Sequence, residues 1–243
     1  MPRKKKTEEE KAAEETPASQ EEEVVDEETE EEEESKKSII MLPPLMDLLG
    51  GGSGKDKKIR TIGLIGDVTE EKASEVIYGL LALRESGYRQ ELKDPTDPSS
   101  DIVETCEPME MIISTYGGSA MDMFGIHDMM RNVREECEIH TVGIGKVMSA
   151  GVLILASGTK GKRRIGKNCR VMIHSVVGGT HGPMHNLENE MDEIRWIQEK
   201  YIETLVRESD MTKAMVRKML NRKVNIYLTA DQAVEYGIAD EVF

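Results

Sequence analysis

Apolar residues follow two spacings along this chain, and both begin only near Arg60. Thr61-Ile62-Gly63-Leu64-Ile65-Gly66 is a short apolar run closed by glycine, the pattern of a buried strand. Thr69 then precedes Glu70-Glu71, an N-cap with acidic first-turn residues. Ala73, Val76, Ile77, Leu80 and Leu81 recur at helical spacing as far as about Leu83. A second strand is predicted over Met109 to Thr115, ending at Tyr116-Gly117-Gly118-Ser119. A helix is predicted over Ala120 to Val133, with Met123, Ile126 and Met130 inward. Ile139 to Ile144 and Val171 to His174 read as the next strands. The long helix from Met184 to Glu208 carries Leu187, Met191, Ile194, Tyr201 and Leu205 at nearly heptad spacing, a stripe suited to a partner helix. Tyr227-Leu228-Thr229 leads into a last helix, Ala230 to Tyr236, stopped by Gly237. Leu64 and Tyr227 read as core. Gly87 to Glu107 is polar and contains Pro95 and Pro98, so it reads as an insertion loop. Strands alternating with helices at this spacing imply parallel crossovers and an α/β fold, a pattern that a Rossmann-type sheet also satisfies.

Charge changes the picture only at the N-terminus. Met1 to Lys37 holds 16 acidic and 7 basic residues, a net of -9 within a total of -15. With almost no large apolar residue to bury, residues 1–38 are expected to be a disordered acidic tail. Residues 39–59 form an apolar patch, Ile39 to Leu49 broken by Pro43-Pro44, followed by the linker Gly50-Gly51-Gly52-Ser53-Gly54. The patch suits docking on a partner or on the chain's own domain, and equally a loosely packed extension. Residues 60–243 are left as the folded domain. The acidic balance argues against non-specific nucleic-acid binding, and Arg3 to Lys6 is too short a basic cluster to reverse it. Cys106, Cys137 and Cys169 show no CxxC spacing and read as thiols of a reducing compartment, not as a disulfide framework or zinc site. No apolar run approaches a membrane span and the N-terminus has no signal-peptide core, so a cytoplasmic protein without membrane partners is expected.

The chemistry-bearing stretch is Gly143 to Gly179. Ser149 sits between Met148 and Ala150-Gly151, just before the apolar run Val152 to Ala156. Small residues after a hydroxyl let a helix start sharply and leave the side chain proud, as a nucleophile elbow requires. Val147 in place of glycine leaves the G-x-S-x-G pattern half met. His174 closes the following strand and could serve Ser149 as a base. Val176 to Pro183 is glycine-rich, but no Gly-Lys-Ser/Thr follows it, so it is no phosphate loop. His181 and His185 have a metal-binding spacing without an acidic third ligand, and no metal is expected.

Five separate segments carry a resemblance. MSAG at 148–151, ASGTKGKR at 156–163, RVMIHS at 170–175, Tyr116-Gly117-Gly118 and AVEYGIAD at 233–240 together resemble the ClpP family of caseinolytic serine proteases, peptidase family S14. The likeness runs from Arg60 to Phe243, with a poorly matching patch between Gly87 and Pro108. It implies a crotonase-like ClpP superhelix of ββα units, with Met184 to Glu208 as a protruding handle helix that interlocks two rings. It implies Ser149 as nucleophile, His174 as base, and Gly118 and Ala150 as backbone donors of the oxyanion hole. Reading back from Tyr227-Leu228-Thr229, the slot where the family pattern has an aspartate holds Asn225. An amide oxygen can orient an imidazole but lends it no charge. Asp231 and Asp240 are near in sequence and read as exposed helix charges. The implied function is a serine endopeptidase subunit of the ATP-dependent type, hydrolysing unfolded polypeptides in a self-compartmentalised chamber. Its partners would be further copies of itself in stacked heptameric rings and a separate AAA+ unfoldase, which alone uses ATP; no cofactor of its own is implied. Asn225 favours a second reading, a catalytically weak or silent structural ring subunit. A third is a phage-type processing protease with the acidic tail as an assembly arm.

Overall fold

Glycine-punctuated apolar runs make the sheet, and the sheet sets out the site. The computed structural model describes residues 59–243 apart from Thr180 and Lys223. The acidic tail at 1–38 and the apolar patch and linker as far as 58 lie outside the described residues. Strand β1 (Thr61–Ile65) pairs in parallel with β4 (Met109–Thr115), and β4 in parallel with β5 (Ile139–Met148). β5 continues in parallel to β6 (Arg164–Ile165), and β6 to β9 (Glu241–Val242). Strands are therefore added progressively in one direction, without the reversal of order that defines a Rossmann sheet. The α/β class with parallel crossovers is what the chain forms.

Local sequence accounts for each helix. Thr69 caps α1 (Glu70–Gly87), accepting the Lys72 N–H at 3.3 Å, and Ala73, Val76 and Leu80 are buried along one stripe. The apolar stripe ends at Leu83 although the helix runs on to Gly87: Arg84 pairs with Glu85, and Ser86 accepts from Arg60 at 3.2 Å. Ser119 caps α2 (Ala120–Val133), whose Met123, Ile126 and Met130 are buried as the spacing requires. Every residue of α3 (Ala150–Ala156) is buried, which its small and aliphatic side chains permit. α4 (Met184–Glu208) changes character along its length. Tyr201, Ile202, Leu205 and Glu208 are buried, while Met184, Met191 and Trp196 are exposed. α5 (Lys213–Leu220) and α6 (Ala230–Glu235) follow, the latter closed by a capping box between Thr229 and Gln232.

Four expectations need correction. Gly87 to Glu107 is a hairpin, not a loop: β2 (Tyr88–Leu92) pairs antiparallel with β3 (Ile102–Cys106). Nearly all of its residues are exposed, so neither face carries the apolar alternation that marks a strand. Cys106 and Cys137 form a disulfide, with Cα atoms 5.0 Å apart across 31 residues of sequence. The end of β3 lies beside the turn after α2, a tertiary proximity that cysteine spacing cannot reveal. Cys169 alone is free; burial pushes its thiol up to about 11. Tyr227 is half exposed, with the Arg170 guanidinium 5.9 Å from its ring centre. Asp240 is no loose helix charge: Arg163 holds it through Nε at 2.9 Å and a second nitrogen at 2.5 Å.

The end of α4 is fixed by a buried carboxylate. Glu208 accepts from Arg131 at 2.7 Å and from Arg134 at 3.1 Å, with His127 Nε2 3.4 Å away. Burial alone would raise its pKa, but the donors of His127, Arg131 and Arg134 outweigh it and hold the carboxyl well below the usual range. Arg134 also donates to the carbonyls of Ser157 and Gly158, at 2.7 and 2.8 Å, just past the end of α3. A cation at a helix C-terminus satisfies orphan carbonyls and opposes the helix dipole.

Candidate active site

Ser149 stands where β5 forks. Early in the strand, Val142 and Gly143 pair with β6. After an irregularity at Ile144 to Lys146, the end of β5 pairs instead with β7 (Arg170–Ile173), Val147 opposite Val171 and Met148 opposite Met172. Gly145, at φ 62°, allows the bend. Ser149 follows at φ 54°, ψ -118°, the one non-glycine residue at positive φ among the described residues. Such a conformation costs about 1–3 kcal/mol and persists only where neighbours enforce it. The Ser149 N–H donates to Met172 O at 2.8 Å, and α3 starts at the next residue. The sharp strand-to-helix turn expected around Ser149 is thus present without the first glycine of the hydrolase pattern.

An imidazole arrives from the end of β7. His174, the predicted last residue of that strand, is the residue just after it, and its Nε2 lies 2.8 Å from Ser149 Oγ. Opposite them is the turn after β4. Val68 donates to Gly117 O at 2.8 Å and accepts from the Ser119 N–H at 2.9 Å, a bridge that does not use the Gly118 N–H. Gly118 has φ 152°, and a Cβ there would lie 2.2 Å from Val68 O. Gly117, at φ 107°, is as constrained, since its Cβ would lie 2.5 Å from that of Ser149. The Ala150 N–H, first in α3, has no intrahelical partner and no side-chain cap. Gly118, Ser149, Ala150 and His174 line one cavity of about 210 Å³.

Asn225 is not among that lining. It precedes β8 (Ile226–Leu228), which runs antiparallel to β7 with Ile173 opposite Ile226. One further step of this register sets Asn225 across from His174. Yet Asn225 is exposed, and among the described residues no side chain bonds the second ring nitrogen of His174. His181 and His185 are exposed and stand apart from the cavity.

Comparison with known proteins gives the family. The family model described as Clp protease matches residues 100–243. The chain is 33% identical over 183 residues to ATP-dependent Clp protease proteolytic subunit 1 of Prochlorococcus marinus (strain MIT 9312), covering 75% of this chain and 83% of the relative. It is 35% identical over 185 residues to proteolytic subunit 2 of Corynebacterium jeikeium (strain K411), covering 76% and 78%. The chain belongs to the Clp protease family. It is a ClpP-like serine endopeptidase.

Sequence reasoning missed the rest of this Clp protease cavity. Met123 and Val176, with Ile197 and Tyr201 one turn apart on α4, form its apolar wall. The spacing places Met123 in the core and Tyr201 in a partner stripe. Both lie on buried faces, and period alone cannot distinguish a core face from a pocket wall. Only the i, i+4 spacing of Ile197 and Tyr201 hinted that they act together. Tyr201 is 6% exposed, burial pushes its phenol above the ordinary range, and its hydroxyl is 3.5 Å from Ser149 O.

Proposed function

We propose that Ser149 is the nucleophile and His174 the general base of peptide-bond hydrolysis. The observation that carries this is the 2.8 Å approach of His174 Nε2 to Ser149 Oγ, beside two unengaged backbone N–H groups. His174 takes the hydroxyl proton as Oγ attacks the scissile carbonyl carbon. The oxyanion is received by the N–H groups of Gly118 and Ala150, already aimed by the glycine turn and the start of α3. His174 then gives its proton to the leaving amine. A water, deprotonated by the same ring, releases the acyl group and restores Ser149. Asn225 is assigned to orient His174, its amide oxygen accepting the second ring N–H after a side-chain rotation that its exposure leaves free.

The substrates in this reading are unfolded polypeptides, cut inside a chamber of stacked rings of this chain, heptameric as the family resemblance implies. Met184, Met191 and Trp196, exposed along the first half of α4, support that half as the handle between rings. The relatives' names, ATP-dependent Clp protease proteolytic subunits, support a separate AAA+ unfoldase that uses the ATP. No described helix is long and apolar enough to cross a membrane. A second reading, a weak or silent ring subunit, draws on the exposure of Asn225 and the unsupported ring of His174. A fluorophosphonate probe separates the two. The active reading expects covalent labelling of Ser149 that is lost in His174→Ala; absence of labelling in the assembled protein favours the silent subunit.

A further inference from the structure

The Ser149 cavity has one polar atom that its apolar wall does not explain. Tyr201 is 6% exposed, and among the described residues its hydroxyl has a single hydrogen-bond partner, the Ser149 carbonyl at 3.5 Å. That is too long for an O–H···O bond of ordinary strength, and the same carbonyl already accepts the Val152 N–H at 3.1 Å. A buried hydroxyl without a good partner is costly, and native interiors rarely leave one so. Phenylalanine would pack the same space without that cost. The space in front of Tyr201 is the cavity that also holds Ser149, Ala150 and Gly118; Met123, Val176 and Ile197 give it an apolar side, and Ser119 and Ser175 line it as well.

We propose that Tyr201 determines specificity, selecting a substrate side chain with an apolar stem and a hydrogen-bonding tip, glutamine foremost, on the acyl side of the scissile bond. The inference rests on the reading of Ser149 as nucleophile. With the scissile carbon at Ser149 Oγ and its oxygen at Gly118 and Ala150, the side chain on the acyl-side Cα is directed into the adjoining cavity. About 210 Å³ accommodates a side chain of glutamine length. Its methylenes lie on Met123 and Ile197. Its amide oxygen accepts from the Tyr201 hydroxyl, and its amide nitrogen can donate to the same oxygen or to Ser175, which also lines the cavity. A site that offers a hydrogen bond discriminates against the analogue that leaves its polar group unpaired.

The test compares two short fluorogenic peptides that differ only at this residue, glutamine in one and norleucine in the other, with wild type and Tyr201→Phe. Wild type is expected to show the higher kcat/KM on glutamine. Tyr201→Phe is expected to lower the glutamine-to-norleucine ratio by about three- to tenfold, the range one hydrogen bond spans, with norleucine turnover rising as the unpaired hydroxyl disappears. An unchanged ratio overturns the proposal. So does an equal fall in kcat for both peptides, which would make Tyr201 a positioning residue acting through the Ser149 carbonyl. In both cases fluorophosphonate labelling of Ser149 persists and the nucleophile reading stands. A wild-type protein that neither cleaves nor labels removes both readings together.

Discussion

The two halves of the Ser149–His174 pair are held very differently. Ser149 is fixed from several directions: its N–H by Met172, its Cβ by the absent side chain of Gly117, and its strained φ by the fork of β5. His174 follows the last residue of a four-residue strand, and among the described residues its ring makes one hydrogen bond, to Ser149 itself. The backbone thus over-determines Ser149, and under the proposed mechanism the ring of His174 is left to a side chain across the sheet. Positioning enforced by backbone cannot be lost by one exposed substitution, whereas positioning by a side chain can be tuned or removed by one.

This contrast can be tested by substitution. The largest effect belongs to Ser149→Ala, expected to lower peptide hydrolysis by about 10⁴-fold or more, with ring assembly by sedimentation unchanged. Residual activity near wild type would remove Ser149 from the chemistry. Next comes Gly118→Ala. Its Cβ would meet the Val68 carbonyl at 2.2 Å, displacing the N–H aimed at the oxyanion, and turnover should fall on the order of 10²-fold. A loss below threefold would show that the donor lies elsewhere. On the His174 side the effects are smaller and can go either way. Asn225→Asp, by adding charge behind the imidazolium, should raise turnover about tenfold or more, and Asn225→Ala should lower it by a few-fold. Equal rates for all three proteins would define a Ser-His dyad.

The smallest effect on rate, but a clear one on stability, is expected for Glu208→Gln, which removes the anchor of Arg134 behind α3. Removing the buried charge that the half-exposed Arg131 and the 17% exposed Arg134 meet should cost at most about 3 kcal/mol, read as a lower melting temperature with near-normal turnover at 25 °C. The sign with pH follows from the depressed pKa of Glu208. The unfolded chain binds this proton near pH 4.3 and the folded chain only at lower pH. The contribution is therefore complete at neutral pH and is lost as pH falls below about 4. Glu208→Gln should flatten that acid limb; an unchanged acid limb would assign it to other carboxylates.

Much of this was legible because the core elements are punctuated. Met109 to Thr115 and Ala120 to Val133 have the predicted bounds, since alternation, a glycine turn and a serine cap all agree there. Ser149, His174, Gly118 and Ala150 were readable as candidates because each sits at a junction between elements. The β2–β3 hairpin was not readable, because exposed strands have no apolar face to declare them. Asn225 was found by counting back from Tyr227, and the register of β7 with β8 gives that count a physical meaning. Tyr201 stayed hidden because a cavity wall and a core face use the same residues.

The Cys106–Cys137 bond also acts on the chain before it folds. It encloses β4, the Gly117-Gly118 turn and α2 in one covalent loop that persists when every other contact has melted. Closing about 31 residues removes on the order of 4 kcal/mol of chain entropy from the unfolded ensemble in the loop-closure treatment. The segment that supplies Gly118 is therefore a topologically restricted one, searching a smaller set of conformations than the open segments carrying Ser149 and His174. Refolding with and without a thiol reductant should separate the two, the reduced chain paying in lower stability and a wider search for the same native turn.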